Sequence, residues 1–304
     1  MAGICILGGT GFIGRHLCEK FQARGLSAFT VSRNPDRAFL ASYAPTVLGL
    51  TFGSSEADEV LSTCDVLIHL ASSSLPGINW NDPAQELAQS TLVEVQFLQN
   101  FARTNGRAHI IFASSGGQIY GSGHSLPINE GVPPAPCTAY ALGKQVTEAA
   151  LNCLSLVEGN VVTILRIANP VGRWQLGRKH GFISTAVTAG LSGKSLTLFG
   201  DGNNVRDYFD ADDLANFLVD LSINSNSKTG IYNVGSNCGY TENEIILLVS
   251  EIVARPIDIE IMSRRPFDLK YSVLDSSRAH EELGWIPMTN LEKSIRKIAK
   301  AYLH

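Results

Sequence analysis

The sequence predicts an α/β protein that combines a doubly wound parallel sheet with a smaller C-terminal α/β region. Two observations carry this prediction: apolar strand-like runs alternate with helical patterns through the first half, and the first run breaks into glycines before a helical pattern. Such alternation is typical of βαβ units and a parallel sheet. The 304 residues suffice for one large domain or two modest ones. Ligands of such sheets bind outside the carboxyl ends of the strands.

The clearest elements lie in the first half. Apolar runs predict strands over Ile4–Leu7, Ala28–Val31, Val66–Leu70, Ile110–Ala113 and Val161–Ile167. Helical patterns between them are clearest over Glu86–Arg103 and Tyr140–Leu156.

The second half is less regular. The predicted strands are Ser195–Phe199, Ile231–Val234 and Ile257–Ile261. The predicted helices are Ala211–Ser222, Thr241–Val253, Ser276–Leu283 and Leu291–Leu303. We place a domain boundary near residue 168, between residues 1–168 and 169–304, and expect the two domains to exchange elements.

Composition excludes several classes of partner. The net charge is −4 and no basic block occurs, which argues against nucleic acid. Six cysteines are scattered without a Cys-x-x-Cys pair, so no metal site or disulfide framework is predicted, and a reducing cytosol fits. Cys5 and Cys153 lie within apolar patterns and are expected in the core. The first apolar run is too short for a secretory signal, and no stretch approaches a transmembrane span, so we expect a cytoplasmic protein without a membrane partner.

The first predicted strand leads directly into a glycine turn, Gly8-Gly9-Thr10-Gly11-Phe12-Ile13-Gly14. A strand that enters a helix through glycines presents backbone N–H groups and a helix N-terminus to an anion. Gly8 allows a tight turn, Gly11 allows a pyrophosphate to approach, and Gly14 allows the helix to lie close to the strand. We therefore predict that this turn, with Phe12 and Ile13, binds a dinucleotide, and that residues 1–168 form the dinucleotide-binding domain.

Tyr140 and Lys144 form the second candidate site. They are four residues apart, so on a helix they share one face. An ammonium beside a phenol favours the phenolate, which can exchange a proton with a sugar hydroxyl while a nicotinamide exchanges the hydride. A surface pair is the alternative. Ser114 and Ser115 end a predicted strand and are candidates to hydrogen-bond a substrate hydroxyl, unless they only cap the strand.

These motifs together resemble the extended short-chain dehydrogenase/reductase family, in its nucleotide-sugar epimerase/dehydratase branch. The spacing Gly-x-x-Gly-x-x-Gly is that of this family, and the likeness covers nearly the whole chain. Further markers are Asp65–Ala71, Ser114–Gly117 with Tyr120-Gly121, Tyr140-x-x-x-Lys144, Arg166–Gly172, Val205–Phe209, Arg264–Asp268 and Leu283–Trp285. The segments Leu70–Pro76 and Ser114–Gly117 are most similar to those of UDP-glucose 4-epimerases. The resemblance implies a Rossmann-type fold, a nucleotide-sugar-binding domain over 169–304, and a homodimer formed through the two clearest helices.

The resemblance also assigns further site residues. The cofactor set gains Leu70, Ala71, Ser72 and Lys144, and the substrate set is Gln118, Asn169, Phe199, Arg206 and Arg265. Two guanidinium groups suit a pyrophosphate, and with Asn169 they would hold the nucleotide diphosphate. The alternative is that Arg206 and Arg265 are structural and pair with Asp207 and Asp268. Phe199 would pack on the nucleotide base or fill the core.

Two departures from the family concern the catalytic strand end. The usual catalytic Ser or Thr position, four residues before Tyr120, is Gly116, so Ser115, Gln118 or a water would have to replace it. Dehydratases of this branch carry Asp-Glu at the positions of Gly117 and Gln118. Without this acid and base we expect no dehydration.

A third departure concerns the cofactor. The second strand is followed by Ser32-Arg33 rather than by an acidic residue that would bind the ribose of NAD. Ser32 and Arg33 suit a 2′-phosphate, so the cofactor is NADP or NAD, and these two residues favour NADP. The aspartate that often contacts adenine is also missing around Leu50–Gly53.

Three functions remain open at this point. The first is a nucleotide-sugar 4-epimerase, acting on a UDP-sugar, in which Tyr140 takes the 4-hydroxyl proton and the 4-keto sugar turns over within the site. The second is an NADPH-dependent 4-keto-sugar reductase that uses the same Tyr140 and Lys144. Arg33 favours the reductase, and the Ser114–Gly117 likeness favours the epimerase. The third, a cofactor-binding regulator without turnover, is supported by Gly116 and opposed by the intact Tyr/Lys pair.

Overall fold

The computed structural model describes residues 3–74, 77, 80–125, 127–177, 181–224 and 228–303. Leu75 and Pro76 of the marker segment Leu70–Pro76 lie outside the described residues. The strands, in chain order, are Ile4–Leu7 (β1), Ala28–Ser32 (β2), Val47–Thr51 (β3), Val66–His69 (β4), His109–Ser115 (β5), Val161–Ile167 (β6), Asn169–Val171 (β7), Leu196–Phe199 (β8), Val205–Asp210 (β9), Gly230–Val234 (β10), Gly239–Thr241 (β11), Ile259–Met262 (β12) and Tyr271–Ser272 (β13).

The helices are distributed along the whole chain. They are Phe12–Ala23 (α1), Arg37–Tyr43 (α2), Ser55–Thr63 (α3), Pro83–Glu86 (α4), Leu92–Thr104 (α5), Ala139–Glu158 (α6), Phe182–Ser192 (α7), Ala211–Ile223 (α8), Glu242–Val253 (α9), Ser277–Leu283 (α10) and Leu291–Tyr302 (α11). A π-helical turn, Leu87–Thr91, joins α4 to α5, and a 3₁₀ turn, Arg173–Gln175, follows β7. Within the described ranges, none of the helices combines the length and the apolar composition that crossing a membrane requires.

A seven-stranded parallel sheet forms the centre of the fold, in the order β10-β6-β5-β4-β1-β2-β3. Alternate residues of β1 show how both faces are covered. Ile4 and Ile6 belong to the core that includes α1 and α8, whereas Cys5 and Leu7 belong to the core that includes α3, α5 and α6. The predicted doubly wound α/β fold is therefore confirmed. Cys5 is buried as predicted, but the prediction for Cys153 was wrong, because this residue lies on the exposed side of α6.

The second half builds a smaller layer with its own core. β9 pairs with β7, β11 and β13, and β8 pairs with β12. Helices α7, α9 and α11 enclose an apolar core that includes Val187, Ile245 and Ile295. Two elements of this half leave the layer: β10 pairs with β6 in the large sheet, and α8 packs on α1. This exchange places residues of both halves around one end of the large sheet.

Several elements differ from the sequence-based prediction. β3 was not among the predicted strands, because it lies at the sheet edge, with Val47 its only fully buried residue. β9 was also missed, since its sequence Val-Arg-Asp-Tyr-Phe-Asp is rich in charged residues. The helix predicted over Glu86–Arg103 is interrupted by the π-helical turn, which inserts an extra residue into the helical repeat. The strand predicted over Ile257–Ile261 lies over Ile259–Met262.

Candidate active site

A cleft of about 1290 Å³ opens at the carboxyl ends of the sheet strands. One wall consists of α6 and the residues that follow β1, β2, β4 and β5, and the opposite wall of β7, β8, β9 and the segment 265–268. Sites for small molecules usually measure about 300–1,000 Å³, so this cleft has room for a dinucleotide and a second ligand. Every residue that the sequence and the resemblance assigned to the site lines this cleft.

The glycine turn has the geometry that its sequence predicts. Gly8 has φ +91°, and a Cβ atom there would lie 2.9 Å from the backbone nitrogen of Ala71. A Cβ atom on Gly14 would lie 2.3 Å from the carbonyl oxygen of Gly8, so α1 lies as close to the turn as only glycine permits. Phe12 and Ile13 begin α1, and the helix N-terminus faces the cleft beside Leu70, Ala71 and Ser72.

Tyr140 and Lys144 lie on the first turns of α6. Thr138 caps this helix, because its Oγ1 accepts a hydrogen bond from the backbone N–H of Ala141 at 3.2 Å. Both side chains line the cleft, which confirms that they share one face of the helix. Lys144 is only 5% exposed, and its Nζ lies 3.4 Å from Glu94 Oε1 on α5. The pair therefore lies at the cleft rather than on the outer surface of the protein.

The two serines at the end of β5 point in different directions. Ser114 Oγ donates a hydrogen bond of 2.5 Å to Glu148 Oε1, and Glu148 also accepts from Arg166 at 2.7 Å. The Ser114 hydroxyl is therefore engaged inside the protein, as part of a buried ion-pair cluster. Ser115 is half-buried at the cleft, and within the described residues its hydroxyl makes no hydrogen bond. Of the two, Ser115 is the one free to reach a substrate.

Gly116 has no room for a side chain. A Cβ atom there would lie 2.4 Å from Cδ1 of Leu274 and 2.8 Å from the carbonyl oxygen of Arg166. At Gly117, by contrast, the nearest atom to such a Cβ is Oδ1 of Asn169, at 3.7 Å. The space next to Gly116 is thus already filled by Leu274, which is fully buried. A Ser or Thr at this position does not fit the backbone of this chain.

The end of β2 forms the outer part of the cleft. Ser32 Oγ is buried and, among the described residues, has no hydrogen-bond partner. Arg33 is exposed and lines the cleft next to it. Phe52, which follows β3, occupies the region where the family often has an aspartate. An orphaned hydroxyl beside an exposed guanidinium is suited to an anionic or hydroxylated group of a ligand.

Arg206 lines the opposite wall. It is half-buried on β9, where its Nη1 donates a hydrogen bond of 2.9 Å to the carbonyl oxygen of Val205. Burial lowers the pKa of its guanidinium, an effect that the nearby Glu242 opposes. The ion pair with Asp207 that was the alternative is not formed, because the Asp207 carboxylate accepts hydrogen bonds from Ser236. Arg206 lines the cleft and forms no ion pair with any carboxylate among the residues that the structure describes.

Arg265 lies on the same wall with a partner. Its Nε and Nη2 donate to the two carboxylate oxygens of Asp268 at 2.9 and 2.8 Å, so the alternative ion pair is present here. Its guanidinium also lies 4.4 Å from the ring centroid of Phe199. One face of Phe199 is thus covered by Arg265. Asn169, also on this wall, donates from Nδ2 to the carbonyl oxygen of Asp207 at 2.9 Å.

The sequence-based prediction missed several cleft residues. The most important are acidic or aromatic: Glu86, Glu94, Phe97, Glu242, Phe267 and Asp268. Glu94 carried a readable signal, because it lies four residues before Leu98 on α5 and hence on its buried face. A charged residue on the apolar face of a helix indicates a buried partner.

Comparison with known proteins decides the family. The sequence model of the NAD dependent epimerase/dehydratase family matches residues 4–235. The chain belongs to this family. Membership makes the protein an NAD-dependent enzyme of the epimerase and reductase type, as the glycine turn and the Tyr/Lys pair predicted.

Relatives in the family include epimerases and a reductase. The chain is 29% identical over 242 residues to the UDP-glucose 4-epimerase of Mycolicibacterium smegmatis, which covers 78% of this chain and 76% of that protein. It is 28% identical over 309 residues to the dTDP-4-dehydro-6-deoxyglucose reductase of Escherichia coli, and the match covers 98% of this chain and 97% of that protein. The structure of the Thermotoga maritima UDP-glucose 4-epimerase with UDP-glucose superposes with a TM-score of 0.87 at 28% identity, over 99% of this chain and 98% of that chain.

Proposed function

We propose that the protein is a nucleotide-sugar 4-epimerase that acts on a UDP-sugar by transient oxidation at C4. The observation that carries the proposal is the arrangement of the cleft. The glycine turn and the Tyr140/Lys144 pair lie on one wall, and Arg206 and Arg265 on the other. The epimerases of Mycolicibacterium smegmatis and Thermotoga maritima, which resemble this chain, support a UDP-sugar as the substrate.

The residues of the first wall fit a nicotinamide dinucleotide. The turn Gly8–Gly14 is a cradle that side chains would fill, as the short Cβ distances at Gly8 and Gly14 show. The pyrophosphate would lie at the N-terminus of α1, and Lys144 would contact the same cofactor. Leu70, Ala71 and Ser72 would line the dinucleotide, and Ser32 and Arg33 would hold the adenosine ribose or its 2′-phosphate. When bound, the dinucleotide supplies the hydride acceptor and donor.

The protein residues supply proton transfer and orientation. Tyr140 holds the proton of the sugar 4-hydroxyl, and Lys144 stabilises the phenolate through its charge. Ser115 takes the place of the missing Ser or Thr and orients the same hydroxyl, with Gln118 as a second hydrogen-bonding group. Arg206, Arg265 and Asn169 hold the diphosphate and Phe199 contacts the base. The turn Gly117-Gln118 offers neither acid nor base, so dehydration is not part of the proposal.

A reductase is the second candidate, favoured by a specific observation. Arg33 is exposed beside the orphaned hydroxyl of Ser32, an arrangement that suits the 2′-phosphate of NADP(H). The Escherichia coli reductase is similar to this chain over nearly its whole length. We therefore propose that NADP(H) binds at least as well as NAD(H). The same Tyr140 and Lys144 would serve reduction of a 4-keto sugar.

A homodimer is part of the proposal. Helices α5 and α6 carry exposed apolar side chains, among them Leu92, Val93, Val146, Leu156 and Val157. Leu156 is 88% exposed and Val157 is 76% exposed. Exposed apolar side chains on two neighbouring helices suit a subunit interface. We propose that two copies associate through these helices.

The division of labour follows the predicted boundary near residue 168. We propose that residues 1–168, joined by β10 and α8, bind the dinucleotide, and that the rest of 169–304 binds the nucleotide sugar. The six cysteines are unpaired, which fits the reducing cytoplasm that we propose as the location.

The test compares two reactions of the purified protein. In the first assay, UDP-glucose is incubated with the protein as isolated, and the UDP-galactose that forms is measured by chromatography. In the second assay, a dTDP-4-keto-6-deoxy sugar is incubated with the protein and NADPH, and the consumption of NADPH is followed by its absorbance. UDP-galactose formation without added dinucleotide supports the epimerase. Stoichiometric NADPH consumption on the keto sugar alone would replace it with the reductase. Tyr140→Phe serves as the inactive control in both assays.

A further inference from the structure

Lys144 and Glu94, which both line the cleft, form an ion pair there. Lys144 Nζ lies 3.4 Å from Glu94 Oε1, and the lysine side chain is almost completely buried. On its other side Nζ lies 4.5 Å from the ring centroid of Phe112. An aromatic face attracts a cation, but its effect is smaller than that of a full negative charge. Glu94 is therefore the group that balances the charge of Lys144.

Two further side chains, Thr147 and His69, lie next to the Glu94 carboxylate. Thr147 Oγ1 donates a hydrogen bond of 2.8 Å to Glu94 Oε2, so Glu94 bridges two residues of one α6 face. His69 Nε2 lies 3.7 Å from Glu94 Oε1, but burial lowers the pKa of His69 to about 4. The imidazole is consequently neutral near pH 7 and does not compete with Lys144 for the carboxylate.

The ionised form of Glu94 is favoured in spite of its burial. Burial alone would raise the pKa of its carboxyl, but the charge of Lys144 is the largest of the effects that oppose burial, and the pKa falls below its ordinary value. A buried ammonium that lacks a counter-ion loses its proton more readily, because burial disfavours the charged form.

We propose that Glu94 is a positioning residue whose carboxylate is the counter-ion of Lys144 and holds its side chain at the cleft. The inference rests on the proposed function for the role of Lys144, whereas the charge pair itself exists without any reaction. It explains why a carboxylate lies on the apolar face of α5. The pair fixes the positive charge of Lys144 on the face of α6 that also carries Tyr140.

Other charged groups approach the same region from neighbouring elements. Glu148 of α6 is neutralised by Arg166 of β6, with 2.7 Å between Oε2 and Nη2. Glu86 of α4 lies against α6, where a Cβ atom on Gly143 would be 3.0 Å from its Oε1. Glu86 is thus a second carboxylate on the same wall, and among the ion pairs between described residues it has none with Lys144. It provides a matched control.

The test measures the protonation of Lys144 directly. The protein, without substrate, is treated briefly with acetic anhydride over a range of pH, and acetylation of Lys144 is quantified by mass spectrometry. Only the neutral amine reacts, so the midpoint of labelling reports loss of the proton. In Glu94→Gln we expect this midpoint to fall by about one pH unit or more, because a buried charge loses its counter-ion. Glu94→Asp keeps the charge and should shift the midpoint less.

The control is Glu86→Gln, which removes one negative charge from the same wall and should leave the midpoint unchanged. An unchanged midpoint in folded Glu94→Gln overturns the proposal, as does an equal shift in Glu86→Gln. If Glu94→Gln does not fold, Thr147→Val is tested instead. We expect its labelling midpoint to fall by a smaller amount, and an unchanged midpoint in this variant would contradict the proposal. Labelling needs no substrate, so a failure to epimerise any nucleotide sugar would reject the proposed function but not this inference.

Discussion

A Cβ atom on Gly116 would lie 2.4 Å from Cδ1 of Leu274, although Gly116 stands where the family usually has its catalytic Ser or Thr. Both the leucine and the carbonyl oxygen of Arg166 fill the space that a side chain would need. In this chain the residues around Gly116 are therefore packed for a glycine, and the difference from the family is more than the absence of one hydroxyl group.

Gly116→Ser should consequently destabilise the protein without increasing turnover. We expect a lower melting temperature in differential scanning fluorimetry, because overpacking costs about 1–3 kcal/mol. Leu274→Ala in the same chain should relieve only part of this loss, because the clash with the Arg166 backbone remains. A stable Gly116→Ser variant with raised turnover would show that the side chain finds a path into the cleft.

The two serines at the end of β5 should respond differently to removal of their hydroxyls. Ser115→Ala should lower turnover about ten- to a hundredfold, the loss of one hydrogen bond to a reacting group, with little change in melting temperature. Ser114→Ala should instead lower the free energy of unfolding by about 1.5–3 kcal/mol, because its hydroxyl donates to the charged Glu148. Denaturant titration and initial rates on both variants separate the roles, and the reverse pattern would exchange them.

Tyr140→Phe removes only the phenolic oxygen and should keep the fold and dinucleotide binding. We expect turnover to fall at least about a hundredfold, the lower range for a general acid or base. Initial rates with UDP-glucose are the measurement, and calorimetry with the dinucleotide is the control. Near-normal turnover in the folded variant is incompatible with the assignment.

Arg33→Ala tests the cofactor. A guanidinium that holds a 2′-phosphate contributes a charge-assisted hydrogen bond, so its loss should weaken NADP(H) binding about ten- to a hundredfold and leave NAD(H) binding unchanged. Calorimetry with both dinucleotides on the wild type and the variant gives the answer. A clear preference for NAD(H), insensitive to the substitution, would show that Arg33 does not contact the cofactor.

Arg206→Ala and Arg265→Ala test the diphosphate clamp. Each should weaken the binding of UDP and of UDP-sugars about ten- to a hundredfold, with a much smaller effect on the dinucleotide. Asp268→Asn is the matched control for Arg265, because it removes the same ion pair but keeps the guanidinium. If both arginine variants lose melting temperature but retain UDP affinity, the residues are structural and the nucleotide-sugar assignment fails.

The sequence was sufficient for the parts of the fold that depend on long apolar runs and glycines. β1, β5 and β6 are buried runs, and the turn after β1 needs glycine for steric reasons that no other residue meets. Tyr140 and Lys144 were found because a spacing of four defines one helical face. These signals are local, so one sequence contains them.

Features that depend on tertiary contacts were not readable in this way. The sequence could place Ser114 and Ser115 on opposite faces of a strand, but not decide which of them meets Glu148 on α6. Arg206 and Asp207 are neighbours on β9 and therefore face opposite sides, but the sequence could not show this because β9 itself was missed. The partner of Glu94 depends on how α5 packs against α6, which no spacing within α5 reveals.

The position of β10 beside β6 has a consequence for how the chain folds during synthesis. The large sheet lacks its edge strand β10 until residue 234 has left the ribosome, because β10 begins more than sixty residues after the end of β6. Until then β6 presents unpaired backbone N–H and C=O groups, the kind of edge that pairs with other chains. A nascent chain stalled shortly after β6 is therefore expected to expose an aggregation-prone strand.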